Sequence, residues 1–278
     1  TDALQKKIKR LLQSAETQPC IDLGSFEWGY EETDDSDKLP VFDIPSFCLA
    51  EQFYVRRKSE EANLKKDTIT FLKPVSFENV KYIIVSATAD KNICRNYFND
   101  RKVHFYECKR AEYRGKLRQY PDKSMSRTCI GNHSGIIQKL MEQFHMDEKK
   151  VITFKKENIG SLHFGNTEGS NTLEGQDILV VGTPYHAEFL YKLAALEMGV
   201  DFDEKEKMKP QIVAHNGYRF WFTTFENEGL RDIHFWMLES ELEQAVGRAR
   251  LLRNACEVHL FSNFPLRQSG MVSGFAYD

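Results

Sequence analysis

Apolar positions along this chain follow two rhythms, one of helical spacing and one of short apolar runs. In residues 1–20, Leu4, Ile8, Leu11 and Leu12 sit at helical spacing beside Lys6, Lys7, Lys9 and Arg10. Val80–Val85 reads as a buried strand, and Ser86-Ala87-Thr88 ends it. Asp90 is placed to cap a helix running to about Phe98. Val103–Cys108 reads as a strand, and Gly135–Phe144 as an amphipathic helix through Ile136, Ile137, Leu140, Met141 and Phe144. A short strand at Val151–Phe154 and a buried strand at Asp177–Gly182 follow, then a helix at Ala187–Met198 that Gly199 ends. After the charged stretch Asp201–Lys209, the aromatic run Gln211–Phe225 predicts a hairpin. Leu238–Leu252 predicts a helix and Glu257–Phe261 a last strand. Strands alternating with helices predict an α/β fold, with a mostly parallel sheet and helices on both faces.

Composition narrows the class. Hydrophobic residues make up 41% and charged residues 28% of the 278, as in an ordinary globular chain. The net charge of −3 hides local segregation, with an acidic excursion over Glu27–Asp43. No apolar run approaches ~18 residues, so no transmembrane helix and no membrane partner are expected. The N-terminus lacks the apolar core of a signal peptide. Six scattered cysteines form no C-x-x-C pair. Neither zinc nor a disulfide framework is expected, no other metal ligand set is evident, and a cytoplasmic location fits. The eight histidines are scattered, with His133 and His186 nearest to motif-like sequence, and each reads first as a core or surface residue.

Three short patterns carry the chemistry. Gln244-Ala-Val-Gly247-Arg248-Ala-Arg250-Leu-Leu-Arg253 resembles the arginine-finger motif VI of superfamily 2 helicases. A planar, permanently charged guanidinium pairs with two phosphate oxygens, which suits it to charge developing on a transferring phosphoryl group. The family's second arginine falls here on Leu251, so Arg250 or Arg253 stands in for it. Ser86-Ala87-Thr88 is similar to the family's motif III. Phe164-Gly-Asn-Thr167-Glu168-Gly169-Ser170-Asn171, followed by Ile178–Tyr185 with its G-x-P-Y turn, resembles motif V of the Rad-type and DinG-like branch. Glu174-Gly175-Gln176-Asp177 is a second candidate for the same loop, with a poorer spacing to Pro184. A strand at Val151–Lys155 takes the place of motif IV.

The resemblance covers roughly residues 80–266. It implies the end of a first RecA-like domain and a complete second one over 80–278, preceded by an irregular segment, 1–79, with no recognised counterpart. It implies ATP with Mg²⁺ at a site shared with an upstream helicase domain, because neither a G-x-x-x-x-G-K-[ST] loop nor a DExH box occurs here. Arg248, Arg250 and Gln244 would face the phosphates, with Gly169, Asn171, Glu168 and Gly247 lining the nucleotide. Thr167, Ser170, Ser86 and Thr88 would touch nucleic acid. This chain alone is expected to be inactive. The branch often carries an iron–sulfur cluster, for which no cysteine spacing exists here.

From Arg101 to Arg127 nine Lys/Arg face three acids, a local net of +6, with Tyr106, Tyr113 and Tyr120 interleaved. Cations neutralise phosphates and rings stack on unpaired bases, so Arg110, Arg114 and Lys116 join the expected contacts to single-stranded or forked DNA. A solvated charged linker is the competing reading. Two rival functions remain open at this point: a non-catalytic nucleic-acid-binding module, and a protein-interaction scaffold using Glu27–Asp43 and the 211–225 hairpin.

Overall fold

The computed structural model describes residues 2–16, 18–24, 44–58, 66–73, 75, 77, 79–167 and 169–277. The acidic excursion thus lies outside the described residues, as does Glu168.

The described residues before position 80 form regular elements that an irregular segment was not expected to hold. Helix α1 (Asp2–Ser14) precedes strand β1 (Cys20–Asp22), helix α2 (Ile44–Leu49) and strands β2 (Gln52–Arg56) and β3 (Thr68–Phe71). The strands form an antiparallel sheet ordered β1-β2-β3. Leu11, Ile21, Phe47, Phe53 and Val55 make its core. Lys7 is buried in that core, where its ammonium donates to the Cys48 and Ala50 carbonyls at 2.7 Å each. Burial pushes its pKa down to about 8.

Val80–Val85 corrects the sequence expectation. It forms no strand, and Ile83 and Val85 are 82% and 93% exposed. Hydrophobic periodicity states what a segment would bury, not which ladder it joins, and no described strand pairs with this one. Helix α3 (Lys91–Tyr97) follows as expected, with the Asp90 carboxylate accepting from the amides of Asn92 (2.8 Å) and Ile93 (3.0 Å). Val103–Cys108 also forms no strand. The strand comes later, as β4 (Lys116–Tyr120), whose buried Gln119 amide binds the Ser262 and Phe264 carbonyls and the Leu266 amide.

Beyond it come α4 (Arg127–Asn132), α5 (Ile136–Gln143), β5 (Val151–Ile152), β6 (Ile178–Val181) and α6 (Glu188–Glu197). The hairpin β7 (Lys209–His215) and β8 (Tyr218–Thr224), helix α7 (Glu228–Val246), β9 (Glu257–Phe261) and β10 (Gly270–Met271) complete the chain. Five strands form one sheet in the order β10-β4-β9-β6-β5, every neighbouring pair parallel. This is an α/β architecture. All four residues of β6 are buried, as a strand covered on both faces requires.

The hairpin turns at Asn216 and Gly217, both at positive φ (50° and 83°), the geometry of a two-residue turn that matches strand twist. Helix α7 starts ten residues before the predicted Leu238, because Asn227 caps it by accepting from the Leu230 amide at 3.0 Å. It also ends early. Gly247–Ala249 is a 3₁₀ turn and Arg250 sits in the left-handed region at φ 56°. Gln244 alone of the four motif residues therefore lies on the α-helix.

Candidate functional site

Two loops meet at the amino-terminal edge of the parallel sheet. One runs from Phe164 into β6, and the other follows α7 into β9. Their backbones are joined where the Gly175 amide donates to the Ala249 carbonyl at 3.0 Å, and the Asp177 carboxylate accepts from the Glu257 amide at 2.7 Å. The Asn254 side chain packs 3.4 Å from where a Gly175 Cβ would sit.

The motif arginines are fixed on the facing loop. Arg248 donates from Nε to the Gln244 carbonyl at 3.1 Å and from Nη1 to the Ser170 carbonyl at 3.0 Å. Arg250 donates from Nη2 to Asn171 Oδ1 at 2.8 Å. Its left-handed backbone swings it off the helix axis, which a continuous helix to Leu252 would not do. Arg253 makes no comparable side-chain contact with that loop among the described residues, and its carbonyl accepts from Arg114 Nη1 at 3.2 Å. The structure thus places Arg250 beside Asn171.

Glycines give this edge open backbone. Gly169 holds φ at +70° with nothing within 4 Å of a notional Cβ, and Gly247 faces equally open space. Glycine backbone and guanidinium groups are, in general, donors that can bind phosphate. Among the described residues no group of three or more His, Cys, Asp or Glu is placed to hold a metal ion.

The remaining expected contacts are dispersed. Thr167 is buried at 1% exposure, with no hydrogen-bond partner for its hydroxyl among the described residues. The Ser170 hydroxyl bonds to that of Thr172 at 3.0 Å. Ser86 Oγ accepts from the Thr88 amide at 3.2 Å, and the Thr88 carbonyl accepts from Trp236 Nε1 at 3.0 Å. That last bond ties the segment after the exposed apolar run to α7, the helix leading into the arginine turn.

The basic segment also changes its meaning. Arg110 pairs with Glu243 of α7 at 3.4 Å, and burial raises the pKa of that carboxyl. With Arg114 on the Arg253 carbonyl and exposed Lys116 opening β4, the segment runs along the same amino-terminal edge. Tyr120 is a core residue stacked on Phe261 at 4.3 Å, and Tyr113 is half-buried. Only Tyr106, 85% exposed, keeps its ring free to stack.

Sequence reasoning missed the opposite edge. The carboxyl ends of β4, β6 and β9 converge on Thr183, whose hydroxyl bonds to Ser262 Oγ at 2.7 Å and to the Ser124 carbonyl. Its amide donates to the Met125 carbonyl at 3.0 Å. The G-x-P-Y turn after β6 was the available signal. Gly182 holds φ +148°, and a Cβ there would meet Phe164 at 2.6 Å and Phe154 at 3.0 Å.

No family model, curated protein or solved structure matches this chain. Among the described residues no helix is long and apolar enough to cross a membrane.

Proposed function

We propose that this chain is the C-terminal portion of an ATP-dependent DNA helicase or translocase of superfamily 2, with a RecA-like second domain. One observation carries the reading. Two loops chosen from separate sequence motifs, 78 residues apart, meet at one sheet edge through Arg248 and Ser170, with Arg250 and Asn171 beside them. The loops are neighbours because they enter the adjacent parallel strands β9 and β6. What supports the reading is that the motif arginines face Ser170 and Asn171 across them.

The exposed run Val80–Val85 adds support. An apolar, β-prone segment facing solvent is what a strand looks like when its sheet belongs to another part of the molecule. In this reading it joins the sheet of an upstream RecA-like domain that carries the phosphate-cradling loop and the Mg²⁺ ligands.

The chemistry assigned to this chain is electrostatic. With ATP bound between the domains, Arg248 donates to the γ-phosphoryl oxygens as charge spreads over them, and Arg250 supports it. Gln244, one turn back, registers the nucleotide. The Ser170 and Asn171 contacts hold both guanidinium groups in place beforehand, so that little reorganisation is needed during reaction. The amides near Gly169 offer further donors.

Hydrogen exchange on the chain joined to its upstream domain tests the placement. A non-hydrolysable ATP analogue is expected to slow exchange at 169–176 and 244–250 together. No change at either segment would remove the nucleotide from this edge.

A further inference from the structure

We propose that the crevice at the carboxyl-terminal edge of the parallel sheet is the seat of an unpaired polynucleotide strand, with Trp221 as its base-stacking platform. The proposal takes its ligand class from the helicase reading, and it moves strand binding away from the edge where Arg110, Arg114 and Ser170 lie.

Topology marks the place. The chain leaves β4 for β5 at one end of the sheet, and leaves the adjacent β9 for β10 at the other. The carboxyl ends of β4 and β9 therefore flank a point where strand order reverses, and in open parallel sheets that is where a ligand crevice forms. A crevice of about 380 Å³ lies there, lined among others by Ser124, Ser126, Arg127, Tyr185, Trp221 and Asn263. Met125, at its base, is fully buried yet held at φ 47°, a strained conformation for this residue type.

The wall is the outer face of the β7–β8 hairpin. Register sets Pro210 opposite Thr223 and Ile212 opposite Trp221 on one face, while Val213 and Phe222 on the other are buried. Trp221 is 66% exposed and Ile212 47% exposed. An exposed indole on a two-stranded ribbon can accept any base by stacking, whatever the sequence. The ribbon is firmly based. Glu239 accepts from Asn216 Nδ2 at 2.7 Å and bonds to His215 Nε2 at 3.0 Å, and Arg267 Nε donates to Asn216 Oδ1 at 2.9 Å.

Charge names the ligand. The crevice lining holds one arginine and no carboxylate. Arg127 lies over the Phe154 ring at 4.4 Å and donates to the Tyr185 carbonyl, an exposed guanidinium with donors to spare. Lys155 and Lys156 follow Phe154, both exposed, and Lys156 reaches toward Gly131 of α4. A strand stacked on Trp221 would run its phosphates past Arg127 to these lysines, with the Ser124 and Thr128 hydroxyls beside it.

The test is fluorescence anisotropy of a labelled single-stranded oligothymidine titrated with the chain, without ATP. Trp221→Ala is expected to weaken binding about 10-fold or more, and Trp221→Phe to keep most of the affinity. Arg127→Ala should lower the salt-dependence slope by about one. The double variant Arg110→Ala/Arg114→Ala probes the opposite edge in the same titration, and should lose less affinity than Trp221→Ala. Trp221 is exposed, so circular dichroism of its variants should be unchanged. Equal affinity for Trp221→Ala and wild type would overturn the proposal, as would losses confined to the Arg110/Arg114 variant. Displacement of the strand by free triphosphate would also overturn it, in favour of a small-phosphate site. Since ATP plays no part in this titration, failure here leaves the ATPase reading standing, and failure of that reading leaves the strand seat standing.

Discussion

Mild acid should destabilise this protein through His234. The residue is fully buried, its Nδ1 bonded to Thr224 Oγ1 at 2.9 Å and its Nε2 without a partner. Rings of Tyr191, Tyr185 and Phe222 surround it at 4.6, 5.4 and 5.6 Å. Burial first, and the neighbouring His186 second, hold its pKa at about 3 against the ordinary 6.5. The folded state refuses a proton that the unfolded chain accepts below pH 6.5. Stability is therefore full above 6.5 and declines as pH falls toward 3, by at most about 1.4 kcal/mol per pH unit. From pH 6.5 to about 5 the loss is about 2 kcal/mol, and over the whole span on the order of 5 kcal/mol. Burial also lowers His186 and His259, so the wild-type curve alone is not diagnostic. The assay is urea denaturation of wild type and His234→Phe at a series of pH values. The variant forfeits the Thr224 bond, about 1 kcal/mol, but carries no proton at this site. Its stability should gain on wild type by about 2 kcal/mol between pH 6.5 and about 5. Parallel curves would refute the reasoning.

Two further substitutions probe the carboxyl-terminal edge. Gly182→Ala forces a Cβ into Phe164 and Phe154 at a positive φ, and should cost about 1–3 kcal/mol in denaturant unfolding. A neutral result would mean the aromatic pair yields freely. Glu239→Gln replaces a carboxylate that burial pushes up, but that hydrogen bonds from His215 and Asn216 together with the charges of His215 and Arg267 hold below its usual pKa. Wild type should draw stability from this group above the ordinary carboxylate pKa and lose it as pH falls through the lower folded value. Glu239→Gln should lack that loss and show faster hydrogen exchange in 209–224, whereas unchanged exchange would detach the hairpin from its anchor.

The parts of the fold that could be read from sequence were those whose partners are implied by their own pattern. Ile178–Val181 is apolar throughout because both faces are covered, and α5 carries a helical stripe that fixes it without knowledge of the neighbours. Helix α6 is an apolar helix buried on more than one face and ended by Gly199. The failures share a cause. Lys116–Tyr120 shows few apolar residues because Gln119 spends its buried amide on distant backbone groups. Val80–Val85 shows many, yet has no described ladder to join. The start of α7 was written in the cap residue Asn227, upstream of the apolar pattern that was followed. In the site, the motif strings were legible one by one, but the Arg248–Ser170 contact was not. The crevice was less legible still: the G-x-P-Y turn and the aromatic hairpin each stood out in the sequence, but nothing local says that they meet Ser124, Arg127 and Asn263 at one edge.

The measurement that bears most directly on the central claim is DNA-stimulated ATP hydrolysis by the chain joined to the nucleotide-binding domain that the proposal places upstream of it, wild type against Arg248→Ala. If Arg248 meets the γ-phosphoryl group, kcat should fall by roughly 10³- to 10⁵-fold while oligonucleotide affinity without ATP stays unchanged. Unchanged turnover in Arg248→Ala would contradict the account, because an arginine held between Gln244 and Ser170 would then serve only to join two loops.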